Sequence, residues 1–216
     1  MIKMFKKAMD PISSYTHFIG ACMSLLGLII IICLCLVFKT TKSLFIGAII
    51  FGISLIALYS ASSIYHYFHG NEKIKLVLRK LDHSMIYVLI VGTYTPVVLS
   101  CMESPRNYYF LTVLWLVALI GVVLKIVWMD APRFLSTIIY LILGWAVVFD
   151  FQSFQNIPLP IFSLIACGGI SYSVGAIIYI IKKPNISKEF GFHEIFHLFV
   201  MLGSLFHYIA ILMLIL

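Results

Sequence analysis

The sequence predicts an all-α integral membrane protein of seven transmembrane helices, and three observations lead there. Of its 216 residues, 62% are hydrophobic and only 11% charged, against about 45–50% and about 25% in soluble domains. The apolar residues fall in runs of roughly 20, the length a helix needs to cross a hydrocarbon core. Between the runs, lysine and arginine crowd into alternate loops, as they do where loops stay in the cytoplasm.

The spans read in order as 18–38, 43–68, 83–101, 108–129, 134–151, 159–181 and 192–216. The basic segment Met1–Lys7 precedes the first, as in a signal peptide. Asp10-Pro11 intervenes, however, and Phe18–Phe38 is long enough to span, so it reads as a retained helix. Lys39-Thr-Thr-Lys42 separates the first two spans, and the polar stretch Asn71–Lys80 reads as a loop before the third. Within the third, Gly92-Thr-Tyr-Thr-Pro96 predicts a kink, because proline frees a carbonyl one turn earlier. Glu103-Ser-Pro-Arg106, Asp130-Ala-Pro-Arg133, Asn156-Ile-Pro158 and the stretch Lys182–Glu189 divide the rest. The fifth span is the shortest. Residues 1–216 therefore read as a single transmembrane domain, with no soluble module and no internal repeat.

Orientation follows from the basic residues. With the amino terminus inside, the cytoplasmic loops hold Lys3, Lys6, Lys7, Lys73, Lys75, Arg79, Lys80, Lys125, Arg133, Lys182, Lys183 and Lys188, while the opposite face holds Lys39, Lys42 and Arg106. The asymmetry predicts a cytoplasmic N-terminus and an outside C-terminus, opposite to rhodopsin-like receptors. The net charge of +7 then belongs to the loops. It suits anionic lipid headgroups and gives no sign of nucleic-acid binding. Cys22, Cys33, Cys35, Cys101 and Cys167 lie in or beside apolar runs without a Cys-x-x-Cys pair, so they read as small apolar side chains.

Topology brings distant polar residues to one membrane face. His66 closes the second span, Asp82 opens the third, and His193 and His197 open the seventh. Residues four apart share a helical face, so His193 and His197 aim at one point, and so do Ser62 and His66. Each alone has a plainer reading, such as an interfacial imidazole or a capping acid. Together, three imidazoles with an open fourth position form the ligand set of a catalytic zinc site, which brings the pKa of a bound water to about 7. Asp82 would hold that water or act as general base, and Ser62 would donate a hydrogen bond to it. His17 begins the first span on the same face and would border the site. His207 lies about 15 Å deeper, too far to share a metal, and is expected in an interhelical hydrogen bond. His69 and His83 read as interfacial.

Gly191-Phe-His193-Glu194-Ile-Phe-His197 also contains the His-Glu-x-x-His string of zinc peptidases, in which the glutamate activates water. Glu194 stands about 100° around the helix from His193. Asp82 already supplies a base, so the peptidase reading ranks below a lipid hydrolase.

Three motifs, Ser62-Ser-Ile-Tyr-His66-Tyr-Phe, Asp82-His-Ser-Met-Ile-Tyr through Gly92-Thr-Tyr-Thr-Pro96, and Gly191-Phe-His-Glu-Ile-Phe-His197-Leu-Phe-Val200, closely resemble the hemolysin III family. The opening Asp10-Pro-Ile-Ser-Ser-Tyr-Thr-His17-Phe-Ile-Gly20 fits its bacterial members. That family groups with the progestin and adipoQ receptors, seven-helix proteins with the N-terminus inside. The resemblance covers essentially the whole chain. It implies His66, His193 and His197 as zinc ligands, Asp82 at the water and Ser62 beside it. It also links the chain to ceramidase-like amide hydrolysis, membrane lipid homeostasis and cytolysis. The expected partners are membrane lipids and a lipid substrate or ligand. The readings that follow are a zinc-dependent lipid amidase or esterase, a non-enzymatic membrane-state regulator with structural zinc, and a cytolysin. A chain this apolar suits a secreted pore-former poorly, and the spans lack the acidic rings of a channel.

Overall fold

A computed structural model describes residues 3–155, 157–187 and 190–216. Met1 and Ile2 of the basic opening segment, Asn156 of the breaker before the sixth span, and Lys188 and Glu189 of the last polar stretch lie outside the described residues. So does the contribution of Lys188 to the charge count. Seven helical segments of 22–30 residues are long and apolar enough to cross a membrane, and there is no strand among the described residues. They are α1 (Pro11–Val37), α2 (Lys42–Tyr67), α3 (Glu72–Cys101), α4 (Arg106–Val127), α5 (Arg133–Gly144) continued by a 3-10 helix (Ala146–Phe154), α6 (Leu159–Ile181) and α7 (Phe192–Ile215). A short 3-10 turn (Lys3–Lys7) precedes them.

Two helices begin well before the expected spans, because hydropathy reports the apolar core and not the capped ends. α1 starts at Pro11, whose fixed φ suits a first helical position. α3 starts at Glu72, where the Asn71 side chain accepts the Lys73 N–H at 2.8 Å. The stretch Asn71–Lys80, expected as a loop, is therefore helical from Glu72 onwards. Asp82 sits ten residues, about 15 Å, into α3 and not at its start.

The fifth span also differs from a continuous helix. After Gly144 it tightens into the 3-10 segment, and Asp150 leaves helical geometry at φ −140°, ψ 43°. Backbone groups freed inside a membrane protein need partners. The Tyr94 hydroxyl meets two of them, donating to the Gly144 carbonyl at 2.7 Å and accepting from the Val147 N–H at 3.1 Å. Asp150 takes two hydrogen bonds from Arg106, both at 2.7 Å, tying the segment to the start of α4. Pro96, in contrast, lies within an unbroken α3.

Helices pack closely where one side offers glycine. A Cβ on Gly47 would lie 2.7 Å from Pro96 Cα, so α2 and α3 touch backbone to backbone there. A Cβ on Gly203 would meet the Tyr172 ring at 2.5 Å, which brings α7 against α6. Such small-residue contacts are how membrane helices associate without a hydrophobic driving force. Hydrogen bonds add specificity. Ser14 and Ser63 each donate to the other's carbonyl at 2.9 Å between α1 and α2, and Ser204 of α7 bonds the hydroxyls of Tyr59 and Tyr172. α3 and α7 each contact four other helices, α3 meeting α2, α4, α5 and α7, and α7 meeting α1, α2, α3 and α6. The outer surface stays apolar, with Val127 and Phe149 about four-fifths exposed at 79% and 80%. Water would not tolerate so much exposed hydrocarbon, whereas lipid would.

Candidate metal centre

Four pieces of chain meet at the end of the bundle that carries the amino terminus: the last turn of α2, the first two turns of α7, a mid-section of α3, and the residue preceding α1. His66 is buried in the last turn of α2. His193 and His197 stand one turn apart at the start of α7. Their ring centroids form a triangle with sides of 4.9, 5.0 and 4.5 Å. One ligand atom from each lies within 4.8 Å of the other two. The three histidines that topology placed at one depth therefore converge in space.

The spacing fits a metal. With Zn–N bonds of about 2.0–2.1 Å and tetrahedral angles, two ligating nitrogens stand about 3.3–3.4 Å apart. His66 Nε2 and His193 Nε2 are 3.3 Å apart. A hydrogen bond between two rings could have that length too. It would not, however, recruit a third imidazole, and His197 joins the same set. His197 Nδ1 is buried with no protein partner, an arrangement that costs free energy unless something else occupies the nitrogen.

Asp10, to which the sequence reading gave no role at the site, fixes the orientation of His66. Its Oδ2 accepts a hydrogen bond from His66 Nδ1 at 2.8 Å. That bond holds the Asp10 carboxyl below its usual pKa. It also puts the imidazole proton on Nδ1, leaving the Nε2 lone pair facing the other two rings. The Asp10 N–H donates to the His66 carbonyl at 3.0 Å, so backbone and side chain together lock the start of α1 to the end of α2.

His17 does border the cluster. Its buried ring stacks on His197 with centroids 3.9 Å apart and planes 15° apart, and both its nitrogens lack a protein partner. Asp82 is buried in α3 and lines one cavity with Ser62, His193 and His197. It stands outside the three-imidazole set. His83, expected at the interface, also lines that cavity, with Nδ1 3.5 Å from the Asp82 carboxylate. His69 is exposed. His207 makes none of the expected interhelical hydrogen bonds among the described residues. Its ring packs against Gly168 and stacks on Tyr172 with centroids 5.4 Å apart. The peptidase-like glutamate has a structural task. Glu194 Oε2 accepts the Gly191 N–H at 2.8 Å, capping α7, and Oε1 accepts the Ser13 hydroxyl at 3.0 Å.

The cavity measures about 250 Å³ and is mostly apolar. It starts at Asp82, Ser62 and the α7 histidines and reaches Val97, Phe154 and Ile157 near the other end of the bundle. From Asp82 to Val97 along α3 is about 22 Å. A long apolar channel headed by imidazoles and a carboxylate suits a molecule with a polar head and a hydrocarbon tail.

Comparison with known proteins agrees with this architecture. A family model described as "Haemolysin-III related" matches residues 5–208. "Hemolysin-3" of Bacillus cereus is 34% identical over 201 residues, covering 93% of this chain and 89% of the relative. "Hemolysin-3 homolog" of Bacillus subtilis (strain 168) is 35% identical over 202 residues, covering 93% and 92%. The human "Monocyte to macrophage differentiation factor" is 25% identical over 170 residues, covering 77% and 69%. No solved structure gives a significant match.

Proposed function

The chain belongs to the haemolysin-III-related family of multi-pass membrane proteins, and from that premise we propose that it is a zinc-dependent hydrolase cleaving an amide or ester bond of a membrane lipid. One observation carries the reading: three imidazoles with mutually close ligand atoms stand at the polar head of a long apolar cavity. His66, His193 and His197 would hold the metal through their free nitrogens, and Asp10 would keep His66 in the ligating tautomer. Zinc, when bound, supplies a Lewis acid for the lipid carbonyl and brings the pKa of water to about 7. Asp82 takes the proton of the attacking water and passes it to the leaving group. Ser62 lies beside it to orient the water. The apolar cavity accepts the tail and fixes the carbonyl near the head of the site. Lysine and arginine asymmetry puts that head on the cytoplasmic side, within reach of water and of one leaflet.

Metal analysis of the purified protein tests the premise. Wild type should hold one zinc per chain and His66→Ala none. Asp82→Asn should keep zinc and lose hydrolysis of lipid amides or esters. A zinc-loaded protein without turnover across such a panel would instead favour a structural metal. The ligands come only from α2 and α7, so such a metal would clamp the last helix to the second, and removing it would lower the melting temperature without touching chemistry.

A further inference from the structure

The same cavity has a cationic wall. Lys125 near the end of α4, Arg133 at the start of α5 and Arg79 of α3 all line it, together with Asp82 as the one acid among its lining residues. Lys125 is 5% exposed, and its ammonium donates to the Ser136 hydroxyl at 2.5 Å. Among the described residues no carboxylate lies within 4.0 Å of Lys125 or Arg133. Arg133 lies over the Tyr179 ring, 4.5 Å from its centroid. Arg79 has only a long contact of 3.9 Å to the exposed Asp130.

A buried ammonium with two of its three donors uncommitted is costly unless an anion answers it. Loop lysines that merely follow the membrane charge rule point to water, whereas Lys125 points into the cavity. Arg79 precedes Asp82 by three residues, about 4.5 Å along α3. Arg79 therefore stands beside the position where the carbonyl would be cleaved, and Arg133 reaches the same end of the cavity over Tyr179, whose ring lies 5.9 Å from that of His193.

We propose that Arg79, Lys125 and Arg133 bind the phosphate of an anionic glycerophospholipid and thereby select it as the ligand of this cavity. Guanidinium and ammonium groups together are the usual receptors for phosphate oxygens. In such lipids the acyl ester lies only a few bonds from the phosphate, which matches the short separation between Arg79 and Asp82 along α3. The proposal rests on the hydrolase reading for its consequence, but the head-group preference itself is measured without turnover.

The experiment uses full-length protein purified in neutral detergent, with lipid retention read by native mass spectrometry. The probes are dioleoyl phosphatidylglycerol, dioleoyl phosphatidylcholine and inorganic phosphate. Wild type should retain phosphatidylglycerol at least tenfold better than phosphatidylcholine. Lys125→Met should abolish the preference and Lys125→Arg should keep it. Arg133→Gln, at an exposed position, should reduce it severalfold and serves where Lys125→Met fails to fold. His66→Ala should lose zinc yet keep the preference, which separates head-group binding from the metal site. Equal retention of both lipids by wild type, or an unchanged preference in both Lys125→Met and Arg133→Gln, would overturn the proposal. Displacement of phosphatidylglycerol by millimolar phosphate would assign the wall to the free ion and overturn the lipid assignment. A protein with the preference but no turnover would sink the hydrolase reading alone.

Discussion

Replacing Asp10 isolates the contribution of the residue behind the proposed metal ligand His66. Its carboxylate receives the His66 Nδ1 proton at 2.8 Å, and losing such a partner typically weakens metal binding 10–100-fold. At about 1.4 kcal/mol per factor of ten, Asp10→Ala should cost about 1.4–2.8 kcal/mol of zinc affinity. Asp10→Asn keeps an acceptor but not its charge. Charge-assisted hydrogen bonds are roughly twice as strong as neutral ones, so the loss should be about half as large, roughly 3–10-fold. The comparison is clean because the Asp10 side chain makes no capping hydrogen bond to α1. The backbone bonds from Asp10 N–H to the His66 carbonyl and from Ser14 N–H to the Asp10 carbonyl are available to any replacement except proline. Chelator competition on detergent-purified protein at fixed pH gives the affinities, with His66→Ala as the zero point. If Asp10→Ala binds zinc within twofold of wild type while His66→Ala binds none, Asp10 does not set the His66 tautomer and the orientation argument is wrong.

Three further outcomes follow from the geometry. Glu194→Ala should lower stability by about 1–2 kcal/mol through lost capping while zinc content and turnover survive, whereas Asp82→Asn should keep stability and zinc and lose turnover; loss of all turnover in Glu194→Gln would restore the peptidase-like base. Gly47→Ala forces a methyl to 2.7 Å from the Pro96 backbone and should destabilise by about 1–3 kcal/mol. Gly144→Ala meets nothing within 4 Å and should be neutral or slightly stabilising, so equal melting temperatures would contradict the packing described. Asp150→Ala removes both hydrogen bonds from Arg106 and one from Ser153; a loss of about 1–3 kcal/mol, read by thermal denaturation, is expected, and no change would show the 3-10 segment to be held by other contacts.

The helix count was legible because each crossing needs its own apolar run, and the histidine cluster was legible because alternating topology assigns a depth to every residue. Helix ends were not, since the first turns of α3 are polar and their start depends on a single Asn71 side chain. The break after Gly144 was hidden because hydropathy does not distinguish an α-helix from a 3-10 helix. Asp10 lay in plain view beside the first span, on the same face as His66. Nothing local joins residues 56 apart, so only their shared depth in the membrane could have paired them. Glu194 shows the converse. Its motif was conspicuous, but the Gly191 N–H one turn earlier claims its carboxylate.

The contact between His66 and His193 spans 127 residues of chain. At about 5–20 residues per second of synthesis, the first imidazole waits roughly 6–25 s before its partners leave the ribosome. A cation reaching His66 early would find one ring and one carboxylate, too few donors to hold it. Under the proposed function, metal capture would wait for the helix that carries His193 and His197, and a chain that stops short of it would lack two of the three imidazoles.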